Sequence, residues 1–362
     1  MPLRTEAFAS LRDEWNDLAA EEPTPFLTHE WFTSWWNAYG SGELVTAVIR
    51  DHEGRLRAAA CLVRTRLGGL GAPANPHTGD WDVVGRDEDA REELWQAIAT
   101  WGGGARVTLP YLREGSRSLE DARRAFVGRY RVQVVPGPRS PYLELPESYE
   151  ALMAAASRNM RSQVGRRARQ LEKALGELRL RTITGGDELD GALDTLFTLE
   201  ASGWKARAGT AILHEPGAER LYRDFARAAA ERGWLRVYLL EAGGEPLAGD
   251  FGIALGGVGF LLKTGFDEAH GRLSPGLVLR GEVLRASIEE GLRGYDFLGP
   301  DDDYKLRWTP TVRPRVTLRA FRGPAGLPAA AWHGRLRPGL KRARDAAQRL
   351  RESRREGAAA EG

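Results

Sequence analysis

Apolar positions recur at helical spacing through LRDEWNDLAA (11–20) and THEWFTSWWNAYG (28–40), and there Thr28 is the predicted N-cap and Gly40 the stop. The pattern then turns β-like in ELVTAVIR (43–50) and LRAAACLVRTRL (56–67), which DHEGR joins as a hairpin. Residues 58–85 include a Gly/Pro-rich loop that leads into WDVVG. Helix and strand patterns alternate in DEDAREELWQAIATW, ARVTLPYL, SRSLEDARRAFVGRY and RVQVV. PGPRSPYLELPES (136–148) carries four prolines and reads as a linker or crossover strand.

From Ser148 to Leu175 the spacing predicts one helical stretch. Strand ELRLRTI follows, then helices DELDGALDTLFTLEASGW and EPGAERLYRDFARAAAERG. Three strands come next, WLRVYLLEA, PLAGDFGIAL and GVGFLLKTGFD, turned by Gly243-Gly244 and Gly256-Gly257. A helix from Gly276, a strand GYDFLG and a late hairpin VRPRVTLRAFR complete the order. Residues 48–63 and 238–253 align without gaps as strand, acidic residue, Gly turn and strand. With the shared order of elements, that echo favours two copies of one α/β fold.

A length of 362 residues also favours two domains, and an apolar fraction of 42% is enough for real cores. The expected halves are 1–145 and 146–325, followed by a basic helical or partly disordered tail, 326–362. A net charge of +2 points to no global attraction for nucleic acid. The single cysteine, Cys61, excludes an intrachain disulfide framework and reads as a buried strand thiol. No His pair stands at metal spacing, so no metal is expected. The start MPLRTEAF has no apolar signal core and no run approaches ~20 apolar residues, so a cytoplasmic protein is expected. Arginines at 158, 161, 166, 167 and 169, and again in the tail, read as solvated basic faces, with peripheral contact to an anionic membrane or tRNA as the alternatives.

The chemistry concentrates at FDEAHGRLSPG (266–276), where a strand ends and a helix begins. The first helical N–H groups lack internal acceptors and carry the positive end of the dipole, which suits a phosphate-bearing ligand. Arg272, Leu273, Ser274, Pro275, Gly276 and Leu277 are the candidate donor-binding residues. Pro275 fits the first turn, Gly276 allows close approach, Ser274 is a candidate cap and Arg272 adds charge. An ordinary capped helix explains the same residues. Asp296 and Asp250 stand inside apolar strands, where a carboxylate needs a partner, so each is a base candidate or half of an ion pair. Asp267 and His270 flank the loop.

SGWKARAGTAIL, GWLRVYLLEAGGEPLAGDFGIAL, KTGFDEAHGRLSPGLVL and YDFLGPDDDYKLRW resemble the second half of the CelD-like and FemAB-like, tandem branch of the GNAT acyltransferase superfamily. The resemblance implies two GNAT-like halves of mixed α/β structure, with the acyl-donor cleft in the second. The pyrophosphate motif Gln/Arg-x-x-Gly-x-Gly/Ala is absent as written, and RLSPGL occupies its place. It further implies an oxyanion contact from the main chain of GFLLKTGFD, a general-acid role for Tyr304, and an acceptor-side contact at Trp204 and Lys205. Lys305 is a candidate for phosphate or developing negative charge, and Lys263 and Asp267 for substrate contact. The expected activity is transfer of an acyl group, acetyl foremost, from acyl-CoA to the amine of a small-molecule, cell-envelope or polysaccharide-related acceptor. An aminoacyl-tRNA-dependent transferase and a non-catalytic scaffold in polysaccharide biosynthesis are the alternatives; nucleic acid enters only if tRNA is the donor.

Overall fold

The computed structural model describes residues 4–65, 68–101, 104–202 and 212–323. Trp204, Lys205 and the expected tail lie outside the described residues. The first half runs β1 (Arg4–Thr5), α1 (Arg12–Ala19), α2 (His29–Tyr39), β2 (Glu43–Arg50), β3 (Leu56–Arg64), β4 (Leu70–Gly71), β5 (Val84–Gly85), α3 (Glu88–Trp101), β6 (Arg106–Arg113), α4 (Arg117–Phe126) and β7 (Arg131–Glu144). The rest runs α5 (Tyr149–Ala155), α6 (Arg158–Leu175), β8 (Leu178–Ile183), α7 (Leu189–Ala201), α8 (Pro216–Glu231), β9 (Leu235–Ala242), β10 (Glu245–Leu255), β11 (Val258–Phe266), α9 (Pro275–Glu289), β12 (Gly294–Asp296), α10 (Asp303–Leu306) and β13 (Val312–Phe321).

Both hairpins that echo one another in sequence form: β2 pairs antiparallel with β3, and β9 with β10. Gly243 and Gly244 both take positive φ (59° and 90°), as the tightest hairpin turns require. The Thr28 hydroxyl accepts from the Trp31 N–H at 3.2 Å and starts α2. Cys61 is buried in β3.

Two sequence expectations change and one choice is decided. The helix expected over 148–175 breaks at Ala156, because the Ser157 hydroxyl accepts from the Met160 N–H and opens a new helix. The late segment is not a hairpin: it is the single strand β13, inserted between β6 and β7. Most of the proline-rich run takes the strand alternative, as the second part of β7, where a bulge opposite β13 leaves Gly137 and Pro138 outside the paired register.

The strands follow the order β1-β2-β3-β4-β6-β13-β7-β12-β11-β10-β9-β8, with β5 beside β3. Thus β13, the last strand among the described residues, completes the first half's sheet, and β7 carries the sheet across to β12. The architecture is two GNAT-like α/β halves packed together. A shared core reinforces the join: α2 packs on α8, and Trp31 meets Phe225 edge-on at 5.0 Å. A second core lies under α6 and α9, built from Leu171, Val278, Leu279, Val283, Leu284 and Trp308.

Candidate active site between the two halves

The cleft begins where two parallel strands part. β11 pairs with β12 only over Val258–Phe260 against Gly294–Asp296, while β11 itself continues to Phe266. From Leu261 onward its edge has no strand partner among the described residues, so main-chain N–H groups face the gap. β12 stops because the chain turns sharply, with Leu298 and Gly299 both at positive φ (48° and 59°). A leucine seldom adopts that conformation, so side chains must hold it. Asp296 accepts from the Leu298 N–H at 2.9 Å, and Lys305 donates to the carbonyls of Leu298 (2.8 Å) and Pro300 (2.9 Å).

A cavity of about 550 Å3 occupies the gap. Its walls are β11 beyond its pairing with β12, the first turns of α9, the 297–302 turn and the segment from Tyr304 to Trp308. Gly276, Leu277 and Ser274 line it. At Gly276 an added Cβ would touch only the Phe266 ring, at 3.5 Å, so the helix start is open to a ligand. Ser274 does not cap through its side chain as expected; it reaches φ 58°, and its carbonyl accepts from the Leu277 N–H at 3.1 Å. Arg272, Leu273 and Pro275 help form the turn but line no described cavity. Asp267 likewise lies off the cleft. It accepts from the Ala269 N–H (2.9 Å) and pairs with His270 Nδ1 (2.8 Å), closing the loop on itself.

The carboxylates read from sequence as bases are tied into other pairs. Asp250, fully buried, meets Arg280 Nη2 at 2.8 Å. Arg280 also donates to the Tyr295 hydroxyl at 2.7 Å and forms part of the cavity wall. Burial opposes the Arg280 charge, but Asp250, with Tyr295 and Tyr304, offsets this and raises the guanidinium pKa. Asp296 accepts from the Ser140 hydroxyl and lies 3.6 Å from Arg315 Nη2, besides holding the turn. Lys305, 4% exposed, is a clamp on that turn and pairs with Asp302 at 3.2 Å.

Tyr304 does line the cavity. Tyr304 is 42% exposed, yet desolvation of its hydroxyl raises the phenol pKa; Arg280 pulls the other way, and Asp302 and Asp250 reinforce the shift. Glu200, unremarked in the sequence, lines the cavity from the end of α7 and accepts from the Ile212 N–H at 2.8 Å. It reaches there because Gly265 lets α7 pack directly on β11: an added Cβ would stand 2.5 Å from the Glu200 backbone.

A second cavity of about 360 Å3 adjoins the first and shares Pro76, Leu262, Lys263, Leu298, Gly299 and Pro300 with it. Its other walls come from both halves and include His77, Tyr111, Ser140, Tyr222 and Arg315. Lys263 stands in both, its Nζ 5.3 Å from the centre of the Tyr222 ring. His77 lies between Tyr222 (3.3 Å) and Glu215 (3.4 Å). Burial first, and then Lys263, lower its pKa and favour the neutral imidazole. Nothing in the local sequence marked His77, Tyr222 or Arg315, because the fold brings them together from distant segments. Among the described residues no group of three His, Cys, Asp or Glu is arranged to hold a metal ion, and no helix is long and apolar enough to cross a membrane.

Residues 158–306 match the acetyltransferase (GNAT) domain family. No curated protein sequence matches the chain significantly. Among solved structures it is similar to FemX, at a TM-score of 0.60 and 11% identity over 91% of this chain and 99% of that one. A conserved protein of unknown function from Bacteroides thetaiotaomicron superposes at a TM-score of 0.59, with 12% identity over 89% and 100% of the two chains. The C-terminal domain of a putative lysylphosphatidylglycerol synthetase from Agrobacterium fabrum gives 0.56, with 14% identity over 90% and 97%. Residues 158–306 thus match a GNAT domain by sequence, and the chain as a whole has a GNAT-like fold.

Proposed function

We propose that the protein is an acyltransferase that moves an acyl group from acyl-CoA to an amine, with the donor in the larger cavity and the acceptor in the smaller. The observation that carries this reading is the parting of β11 from β12 after Phe260, which opens a 550 Å3 cavity against the first turn of α9. A diphosphate at Ser274–Leu277 meets the helix N-terminus, where the dipole favours an anion. The main-chain N–H groups of β11 beyond Phe260 then face the thioester carbonyl and stabilise its developing oxyanion.

Glu200 is the buried carboxylate of the larger cavity, whereas Asp302 is exposed and engaged with Lys305. Glu200 accepts the proton that the attacking amine must lose. As the new C–N bond forms and the C–S bond breaks, the Tyr304 hydroxyl donates its proton to the departing thiolate. Arg280 favours the phenolate left behind, since its charge opposes the upward shift at Tyr304.

The test is calorimetric titration with acetyl-CoA and CoA, followed by turnover assays of Tyr304→Phe. Micromolar donor binding, and a variant that binds normally but turns over at least tenfold more slowly, are expected. Absence of CoA binding would remove the reading in favour of a non-catalytic scaffold. A second reading, an aminoacyl-tRNA donor, is favoured by the exposed Arg158, Arg161, Arg166 and Arg169 on α6, which packs on α9. Similarity to a fold named for lysylphosphatidylglycerol synthesis adds to it. Aminoacyl-tRNA binding that weakens steeply with salt, without CoA binding, would select it.

A further inference from the structure

We infer that the smaller cavity holds the carboxylate of an amino-acid acceptor, with Arg315 as its anchor. The inference rests on the acyl-transfer reading for the direction of attack, but its binding test needs no donor.

Arg315 reaches the cavity from β13, the strand that follows the second half and pairs with β6 and β7 of the first. It is 2% exposed. Its Nε donates to Asp80 at 2.7 Å and its Nη1 to the Arg313 carbonyl at 2.6 Å. The Nη2 group is buried and has no hydrogen-bond acceptor; Asp296 Oδ2, at 3.6 Å, is too far. A buried N–H group without an acceptor is costly, and a ligand oxygen would relieve it.

The surrounding charges are close to balanced. Arg113 lies 3.3 Å from Asp80 and Arg313 lies 4.0 Å from Asp296, and Glu22 also acts on Arg113. A single vacant charged donor in such a setting matches one carboxylate better than a dianionic phosphate.

The nucleophile faces the donor. Lys263 and Leu298 line both cavities, and Glu200, the proton acceptor of the acyl-transfer reading, lines the donor cavity. The Lys263 charge acts on His77 ahead of Glu215 and Glu200, so a neutral amine, the form that attacks, suits this wall. An amino acid spanning the cavity thus puts its carboxylate at Arg315 and its nucleophile toward the donor. A volume of about 360 Å3 admits a free amino acid.

The twenty protein amino acids are screened singly by thermal shift, each hit being compared with its carboxamide, its decarboxylated amine and phosphoethanolamine. At least one acid should raise Tm while its carboxamide and its amine do not. Arg315→Lys should weaken that acid at least tenfold and leave CoA binding unchanged. If that variant fails to fold, the acid-against-carboxamide comparison on the unaltered protein decides alone. The inference is overturned if no acid binds, if acid and carboxamide bind alike, or if phosphoethanolamine binds in their place. CoA titration run in parallel reports on the acyl-transfer reading separately.

Discussion

Asp250 and Arg280 offer a way to separate a structural ion pair from a catalytic base. The pair is almost wholly buried, with 0% and 3% side-chain exposure and a 2.8 Å contact. Removing one partner of such a pair strands a charge and costs about 3–5 kcal/mol, whereas removing both leaves no charge unpaired. Asp250→Leu and Arg280→Met should therefore each lower Tm by about 5 °C in a chain of this length. Arg280→Met also deprives the Tyr295 hydroxyl of a donor, so it is expected to be the worse of the two. The double variant should be more stable than the sum of the single losses implies, by about 2 kcal/mol, as measured by urea unfolding followed by circular dichroism. Strict additivity would refute the pairing argument. So would Asp250→Asn with full stability and no turnover, which would restore Asp250 as the base.

Two further perturbations test other links. Gly276→Glu adds a negative charge where the donor's phosphates are expected. At about 5 Å and an effective dielectric constant near 20 the repulsion is ~3 kcal/mol per unit charge, a loss of about 100-fold in CoA affinity. Gly276→Ala, whose Cβ makes only an ordinary contact with Phe266, should bind within about twofold of the unaltered protein; equal binding by the Glu variant would displace the donor from this turn. Asp82 makes a pH prediction. Burial pushes its pKa up to about 7, against hydrogen bonds from Ser118 and the Val83 N–H. Between roughly pH 4 and 7 the folded state then holds a proton that the unfolded chain has lost. Stability accordingly falls as pH rises, by up to about 1.4 kcal/mol per unit, and levels off above 7. Asp82→Asn keeps the acceptor oxygen and should flatten that slope in unfolding titrations; an unchanged slope would place the ionisation elsewhere.

Much of the cleft's framework was legible. The strand-to-helix junction at 266–276 and the strand before it bound the cavity, because turn residues and apolar periodicity are local signals. Local rules also suggested a cap at Ser274, and there the junction differs. The preceding short helical turn delivers Ser274 in a left-handed conformation, in which its side chain makes no capping hydrogen bond to the helix start. Asp250 and Asp296 were conspicuous as carboxylates in apolar strands. Their partners could not be read, since Arg280 follows 30 residues later on another element and Ser140 lies in a different half. A buried charge announces that it has a partner, but not which one.

The sequence by itself determined the two echoing hairpins, the amphipathic helices and the glycine-bearing turns, because these depend on residues within a few positions of one another. Only the tertiary structure decided that β13 would return to the first half and carry Arg315 into a cavity facing Lys263 and His77. It also parted β11 from β12, through a turn that Asp296 and Lys305 hold from both sides. Strand exchange and splaying depend on how distant elements share hydrogen bonds and bury charge, a condition on the whole fold that no short stretch of the chain contains.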